Sequence, residues 1–486
     1  MPFHRCFYIC LLSVLINIGC KSKGSQQQQN AFIQPLVSTP AAIETPGYTI
    51  TENFENGKKP NYIKSDVKLI SGNWHFKDAL LGQKKSDIKN GLQSARIRTG
   101  YIQMNFDLSG VQQISIKHAK YGNDAHSKWQ LYFSVDSGGT YQAIGPAITD
   151  VDTVLKADSF TINSTRRIRF RIAKKGTARI NIDDITIKGR GDAGIVIGIP
   201  DVQAPDTIKV PSSAARSVTI GVDAPPATGD NSNLLFGNPS GAQPVVAMMD
   251  NYLMDMGYYV ESYNNTKACP NWVSWHIDAG NITNTSARLN NFAAFNGLPS
   301  DWFPVKSSSY SYITYGFDRG HNCPSADRSS SVNANSATFL MTNMIPQAPN
   351  NNEHTWGNFE DYLRSLVLQG NEVYVIMGSY GSGGTGAKGY FSSITSGKYK
   401  INVPAYIWKV AVIIPAGNND LKRVSATTRL IAINTPNQND VNKDWKVYQT
   451  TVRVIETATG YNLLSNLPQH IQDVIEGNSP QLKAKI

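Results

Sequence analysis

A histidine in a polar, glycine-punctuated segment is the first residue of this 486-residue sequence that could do chemistry. His321 lies in the segment 315–327, which reads YGFDRGHNCPSAD. An imidazole titrates near neutral pH and can therefore act as a general base. Because most single histidines are structural, the residues that follow it decide whether His321 has a catalytic role.

A polar run that leads into a helix supplies the second set of candidates. Pro349 blocks helix continuation upstream, the asparagine run 350–352 supplies an N-cap, and the apolar spacing afterwards predicts a helix. Asn352, Trp356 and Glu360 are four residues apart, so they would lie on neighbouring turns of one side. An amide oxygen and a carboxylate suit Mg²⁺, which keeps most of its waters and needs few protein ligands.

Taken in order, these motifs resemble those of one known family. The resemblance is to the DNA/RNA non-specific endonucleases with a ββα-metal (His-Me finger) core, the group that includes endonuclease G. It covers roughly residues 230–480, and it implies an α+β fold for this half of the chain. It rests on Asp318 to His321, Asn343, Pro346, Gln347, Asn352, Trp356 and Glu360, with support from the segments 236–240, 271–275 and 459–461.

The resemblance implies a role for each of three central residues. His321 would be the general base that deprotonates the attacking water. Asn352 would be the direct protein ligand of Mg²⁺, with Mn²⁺ as a substitute, and Glu360 would hold the metal-bound waters in place. The reaction implied is hydrolysis of phosphodiester bonds in DNA and RNA to 5′-phosphorylated products. Little base preference is expected, because phosphate contacts carry no direct sequence information.

Three further residues receive supporting roles from the same resemblance. Arg319 would help to fix the site and bind substrate, Arg288 would stabilise the phosphate, and Asn343 would be a supporting active-site asparagine. Each has a structural alternative. Arg288 would otherwise be a surface charge, Asn343 a turn former and Glu360 an ordinary helix carboxylate.

Short alternating segments predict a different fold for the N-terminal half. Turn-like pieces separate them, and this pattern is typical of an antiparallel β-sandwich over residues 48–190. The first and last strands resemble those of jelly-roll accessory domains of bacterial surface proteins, in some of which acidic residues hold calcium. For Asp183 and Asp184 we favour turn capping or solvation instead. The alternating segments are 101–106, 114–117, 129–134, 168–172 and 180–183.

The basic character of the chain belongs to its N-terminal half. Residues 1–229 contain 28 Lys and Arg against 18 Asp and Glu, whereas residues 230–486 contain 18 of each. Arg167, Arg169 and Arg171 would share one strand face by alternation, and that face could track a phosphate backbone. A solvated edge that guards against aggregation explains the same residues equally well.

The N-terminus predicts export. Residues 1–19 combine a short basic start, an apolar stretch and a small residue before Cys20, which resembles a bacterial lipobox and would make Cys20 the lipidated N-terminus. Asn17 departs from that pattern, so an ordinary signal peptide is the alternative. The protein would then lie in the bacterial cell envelope, held to a membrane by its lipid, or be secreted. In an exported protein, Cys269 and Cys323 could oxidise to a disulfide.

Composition completes the multidomain plan. Residues 20–47 are predicted to be a disordered tether, residues 191–229 a linker with five prolines, and residues 230–486 the nuclease domain. With 41% hydrophobic and 17% charged residues, and no apolar run long enough to span a bilayer, the chain is not a polytopic membrane protein. The alternative function is a surface binding lipoprotein whose sandwich recognises glycans or host material. Homodimerisation is left open.

Overall fold

The computed structural model describes residues 47–195 and 213–477. The predicted signal sequence 1–19, Cys20 and nearly all of the predicted tether lie outside the described residues, as does the middle of the predicted linker. Contacts within the chain place the described residues in one compact unit. Among the described residues, none of the helices is both long enough and apolar enough to cross a membrane.

Residues 47–190, here called the β region, form ten antiparallel strands in one sheet. The main path of the sheet is β7-β6-β9-β4-β10-β5-β8, while β1 pairs with β10, β2 with β3, and β3 with β4. The predicted short strands with turns between them are therefore confirmed. The strands are β1 Gly47–Glu52, β2 Ser65–Leu69, β3 Gly72–Gly82, β4 Ser94–Met104, β5 Val111–Lys120, β6 Ser127–Ser134, β7 Gln142–Asp150, β8 Lys156–Thr161, β9 Arg169–Lys175 and β10 Ile180–Arg190.

Strand β4 turns this sheet back on itself. Its residues 95–97 pair with β10 and its residues 101–103 pair with β9, while β3 runs along its whole length. Gly100 lies at the change of partner, where an added Cβ would lie 1.8 Å from the Lys77 carbonyl oxygen. The fold encloses a core of aromatic and branched residues that includes Trp74, Trp129 and Ile182.

Carboxylates at the start and end of the β region cap turns. Asp183 accepts a hydrogen bond from the backbone N–H of Asn90 at 2.7 Å, and Glu52 accepts from the backbone N–H groups of Phe54 at 2.6 Å and Ser71 at 3.0 Å. The structure therefore bears out turn capping for Asp183, whereas Asp184 forms an ion pair with Lys117 at 2.9 Å.

The C-terminal region is α+β. A seven-stranded antiparallel sheet has the order β11-β12-β13-β16-β21-β22-β23, and three two-stranded sheets lie beside it. The strands are β11 Tyr252–Asp255, β12 Val260–Asn264, β13 Cys269–Ile277, β14 Asp318–His321, β15 Met344–Gln347, β16 Asn371–Tyr380, β17 Gly384–Gly386, β18 Gly389–Phe391, β19 Ser393–Ser396, β20 Tyr399–Asn402, β21 Tyr406–Pro415, β22 Arg429–Pro436 and β23 Gln449–Thr450. The helices are α1 Tyr312–Tyr315, α2 Val332–Thr338, α3 Gly357–Leu368, α4 Asp420–Arg423, α5 Val452–Thr459 and α6 Gln469–Ile475.

Two short strands and a helix bring the candidate residues together. Strand β14 pairs with β15 so that His321 lies opposite Met344, and a π-helical segment, Asn351–Trp356, then runs into α3. Helical backbone is already present at residues 349–350, and proline is well suited to a first helical turn. The predicted asparagine N-cap is therefore wrong, and the side chain of Asn352 is directed to tertiary contacts instead.

The predicted interdomain linker is packed against the fold where it is described. Asp192, just after β10, accepts a hydrogen bond from the Tyr362 hydroxyl at 2.7 Å and forms an ion pair with Arg429. The backbone N–H of Thr49 donates to the Gln369 carbonyl at 3.1 Å. The two halves therefore dock at the C-terminal part of α3, which their polar, proline-rich connection did not predict.

The second part of that segment also has tertiary contacts. Arg216 forms an isolated parallel bridge with Phe295, and its Nη1 donates to the Asn291 carbonyl at 2.6 Å. Asp223 accepts from the Ser330 hydroxyl at 2.6 Å. Residues 213–229 therefore belong structurally to the C-terminal region, because their side chains bind groups distant in sequence.

A fully buried glutamate in β12 leads to a stability prediction. Burial raises the pKa of Glu261 from 4.5 to about 8. Below pH 4.5 the carboxyl is neutral in both the folded and the unfolded protein, so its burial is fully tolerated. As pH rises towards and through 8, the unfolded protein and then the folded protein lose this proton, and the free energy of unfolding falls. We expect Glu261→Gln to be more stable than the wild type by about 2–4 kcal/mol at pH 8, with the difference vanishing towards pH 4.5.

Urea unfolding at several pH values measures this difference. The exposed Asp301 provides the matched control, since Asp301→Asn removes a carboxylate without relieving any burial. Parallel pH curves for the wild type and Glu261→Gln would contradict the prediction.

Candidate active site

His321 lies on β14 in an apolar pocket. Its side chain is only 1% exposed. The rings of Phe292 and Phe339 lie 5.6 and 5.0 Å from it between centroids. Neither imidazole nitrogen has a hydrogen-bond partner within residues 47–195 and 213–477. An unengaged ring nitrogen in such a pocket can accept a proton from a reactant, because no protein donor competes for it.

Electrostatics keep this imidazole neutral. Burial, followed by the charges of Arg288 and Arg319, lowers the pKa of His321 well below its usual 6.5. A general base must be unprotonated to work, and the lowered pKa keeps His321 unprotonated throughout the neutral pH range. The fold thus supplies the protonation state that the predicted role requires.

Two arginines flank the histidine on the same aromatic rings. The Arg288 guanidinium lies 5.2 Å from the Phe339 centroid, and its Nη1 donates to the Ser325 hydroxyl at 2.7 Å. The Arg319 guanidinium lies 4.6 Å from the Phe292 centroid. Planar guanidinium groups held beside a base are suited to binding the oxygens of a phosphodiester.

Asn352 has the geometry of a cation ligand. Its side chain is 4% exposed, and its Nδ2 donates to Asp318 Oδ2 at 2.9 Å. The carboxylate fixes which end of the amide carries the NH₂ group, and it leaves Oδ1 buried without a hydrogen-bond partner among the described residues. A buried amide oxygen with no donor fits a hard cation such as Mg²⁺.

The structure provides few side chains that could bind a metal ion together with Asn352 Oδ1. No group of three or more His, Cys, Asp or Glu side chains that could hold a metal ion occurs in the described parts of the chain. A site built on one amide suits a cation that keeps most of its waters.

Glu360 forms a buried ion pair. Its Oε1 accepts from Lys409 Nζ at 2.7 Å, and both side chains are buried. The ammonium also lies 4.8 Å from the Trp356 ring centroid and 5.4 Å from that of Trp275. Oε2 of Glu360 is buried without a protein donor in the part of the chain that the structure describes. One oxygen is thus held by Lys409, and the other can orient a water molecule.

Asn343 holds the chain that follows the histidine. Its Oδ1 accepts from the Cys323 backbone N–H at 2.9 Å, and its Nδ2 donates to the carbonyls of Cys323 and Thr338, both at 2.9 Å. The whole amide is engaged with backbone. The geometry therefore favours a positioning residue, close to the turn-former alternative, over a residue that touches substrate.

The structure does not pair the two predicted disulfide partners. Cys269 and Cys323 are free and buried. Cys269 begins β13, in register with Asn264 of β12, whereas Cys323 follows the end of β14.

The sequence did not indicate a functional role for two residues of the site. Lys409 is the one charged residue of β21, which reads YIWKVAVIIP. A single lysine in an apolar strand signals a buried charge that needs a partner. Asp318 belonged to the matched motif, but its contact with Asn352 depends on how β14 meets the helix.

Comparison with known proteins identifies the family of this chain. Residues 239–470 match the family model described as DNA/RNA non-specific endonuclease. A nuclease of Nostoc sp. strain PCC 7120 is 42% identical over 282 residues, which cover 58% of this chain and 93% of that protein. The chain belongs to the DNA/RNA non-specific endonuclease family. It is therefore a nuclease, a hydrolase of a metal-dependent family that acts on nucleic acids.

More distant relatives align with smaller parts of the chain. Nuclease C1 of Cunninghamella echinulata var. echinulata is 28% identical over 190 residues, covering 38% of this chain and 71% of that protein. A chain in the crystal structure of the EndoG/EndoGI complex aligns at 21% identity with a TM-score of 0.40, covering 51% of this chain and 96% of its own length. The family match begins at residue 239, so the β region lies outside it.

Proposed function

We propose that this nuclease is a Mg²⁺-dependent, sugar-non-specific endonuclease that hydrolyses DNA and RNA to 5′-phosphorylated products. The observation that carries the proposal is the buried His321, which is kept neutral beside two guanidinium groups and has no hydrogen-bond partner among the described residues. Such a group can generate hydroxide next to a bound phosphate. Nothing in this chemistry requires contact with a base or with the 2′ position of the sugar.

In this proposal His321 removes a proton from the water that attacks phosphorus in line with the leaving 3′ oxygen. Arg288 and Arg319 bind the non-bridging phosphate oxygens. Mg²⁺, when bound, stabilises the charge that develops on the phosphate and on the leaving oxygen. Asn352 would hold the cation through Oδ1, and Oε2 of Glu360 would orient a water molecule beside it.

Digestion of plasmid DNA and of total RNA by the full chain tests the proposal. Cleavage of both substrates is expected with Mg²⁺ or Mn²⁺ and not with EDTA. The products should be ligatable without prior phosphorylation, because they carry 5′-phosphates. A folded protein that cleaves neither substrate with either cation, or that leaves 3′-phosphates, would overturn it.

The depressed pKa of His321 predicts the pH profile of cleavage. A base with the usual value of 6.5 loses activity as pH falls through 6.5, whereas this one stays neutral to lower pH. We therefore expect kcat/KM to remain level from about pH 8 to pH 6, with its descending limb below the ordinary histidine value. Removing one neighbouring cation in Arg288→Met should move that limb to higher pH while lowering the overall rate. A wild-type midpoint at 6.5 would contradict this prediction.

We also propose export and lipid anchoring through residues 1–19 and Cys20, with the β region as a sandwich-type accessory module between the anchor and the nuclease. Support comes from the signal-like sequence alone. Metabolic labelling with radioactive palmitate tests it: wild type should be labelled and Cys20→Ser should not. A secreted, unlabelled wild-type protein would replace the anchor with an ordinary signal peptide.

A further inference from the structure

One face of the β region carries tyrosines and cations side by side. Four neighbouring strands, β3, β4, β9 and β6, contribute to it, and register places its members next to each other across the strands. Lys77 pairs with Tyr101, Gln103 and Tyr132 both pair with Arg171, and Lys128 pairs with Lys175. We call this the tyrosine–cation face, and its members are Lys77, Tyr101, Gln103, Lys128, Tyr132, Tyr141, Arg171 and Lys175.

Arg171 is held rigidly at the centre of this face. Its guanidinium lies 3.6 Å from the Tyr141 ring centroid and 4.4 Å from that of Tyr101. Its Nε and Nη2 both donate to Gln103 Oε1, at 2.8 and 2.6 Å. The cation is therefore positioned by neutral groups, which leave its charge uncompensated. Lys175 lies 5.6 Å from the Tyr132 centroid in a similar arrangement.

The cations of this face lie beside tyrosines rather than carboxylates. Other cations of the β region divide into two groups: some are paired with carboxylates, as Arg98 is with Asp78 and Arg179 is with Asp124, and others, such as Lys68 and Lys188, form no ion pair among the described residues. The four cations of the tyrosine–cation face form no ion pair within the described residues. The nearby carboxylate of Asp107 is already occupied by Arg169. The face therefore presents about four positive charges to solvent.

Edge protection does not explain these residues. Charged side chains guard a sheet against aggregation when they lie on an edge strand. Strand β9 lies between β6 and β4, β6 lies between β7 and β9, and β3 lies between β2 and β4. All four strands are interior, so their backbone groups need no such guard. The predicted row of Arg167, Arg169 and Arg171 is only partly present, since Arg167 precedes β9 and Arg169 is paired with Asp107, which leaves Arg171 on this face.

We propose that the tyrosine–cation face binds single-stranded segments of the polynucleotide that the active site cleaves, an inference that rests on the proposed function. Phosphates would contact Lys and Arg while bases stack on the tyrosine rings, the combination typical of single-strand binding surfaces. The C-terminal half, with 18 basic and 18 acidic residues, has no charge surplus of its own to attract a polyanion. A neutral glycan would gain nothing from four uncompensated cations.

Fluorescence anisotropy with fluorescein-labelled dT₂₀ in EDTA measures this binding in the full chain without cleavage. The variant Lys77→Glu/Lys175→Glu is expected to weaken binding at least about tenfold and to lower the slope of log K against log salt by more than one. The matched control is Lys68→Glu/Lys188→Glu, which makes the same charge change at exposed lysines outside the face. It should change affinity less than about twofold, because general attraction falls off with screening.

A second substrate separates this inference from the proposed function. Both double variants should hydrolyse a chromogenic thymidine bis(p-nitrophenyl phosphate) as fast as the wild type, and only the face variant should raise KM for long single-stranded DNA. Equal dT₂₀ affinities for the two variants, or loss of laminarin or alginate binding instead, would overturn the inference and leave the nuclease proposal intact. Absence of plasmid and RNA cleavage by the wild type would overturn the nuclease proposal.

Discussion

His321→Ala is expected to lower kcat for plasmid cleavage by about 10²–10⁴-fold while leaving the fold intact. The loss is that of a positioned general base. Stability should change little in comparison, because the imidazole makes no hydrogen bond to any described residue and packs against the rings of Phe292 and Phe339. Steady-state cleavage assays and urea unfolding on the same samples measure the two quantities.

The remote His470 provides the control for this prediction. It is exposed on α6, so His470→Ala should retain wild-type kcat. Cleavage by His321→Ala at more than a tenth of the wild-type rate would assign the base to another group.

Lys409→Met is expected to destabilise the protein by about 3–5 kcal/mol. The substitution leaves Glu360 as a buried carboxylate without its ion-pair partner, since the ammonium and the carboxylate are both shielded from water. The pKa of Glu360 is already raised by burial, and Lys409 is the first group that opposes this. Without the lysine, the carboxyl would become protonated and could not orient a water molecule, so cleavage should fail as well.

A double variant distinguishes the two consequences. Glu360→Gln/Lys409→Met removes both charges together, so it should recover most of the lost free energy of unfolding but not the activity. Lys400→Met, at an exposed lysine of β20, is the control for removing an ammonium group. Equal stabilities for Lys409→Met and Lys400→Met would contradict the prediction.

The candidate site was predictable where its residues are close in sequence. His321 and the run that contains Asn352 lie about thirty residues apart, and their motifs carry local signals of turn, strand and helix. The exact start of the helix was not predictable, because the side chain of Asn352 binds Asp318, which is distant in sequence, and does not cap the helix. Local propensity cannot anticipate a competing tertiary partner.

The partners that tune the site come from remote elements. Lys409 lies 49 residues beyond Glu360, and only the fold of β21 against α3 brings the two together. The strands of the β region were predictable for the opposite reason, since period-two alternation is a local property of the chain. The sequence did not predict that the linker packs against the fold. Its proline and small polar residues indicate which backbone conformations are favoured, but they do not indicate that Asp192 pairs with Arg429.

Helix α3 contacts both the β region and the C-terminal region. Its N-terminal side leads from the π-helical segment with Asn352, while Leu368 at its other end packs against the cores of both the β region and the nuclease. Tyr362 satisfies its hydroxyl with Asp192 from outside the family match. Exchange of either half for that of a relative would therefore have to preserve the contacts made by Tyr362, Leu368 and Arg429. The sequence of α3 is thus constrained by contacts with the β region as well as with the nuclease fold.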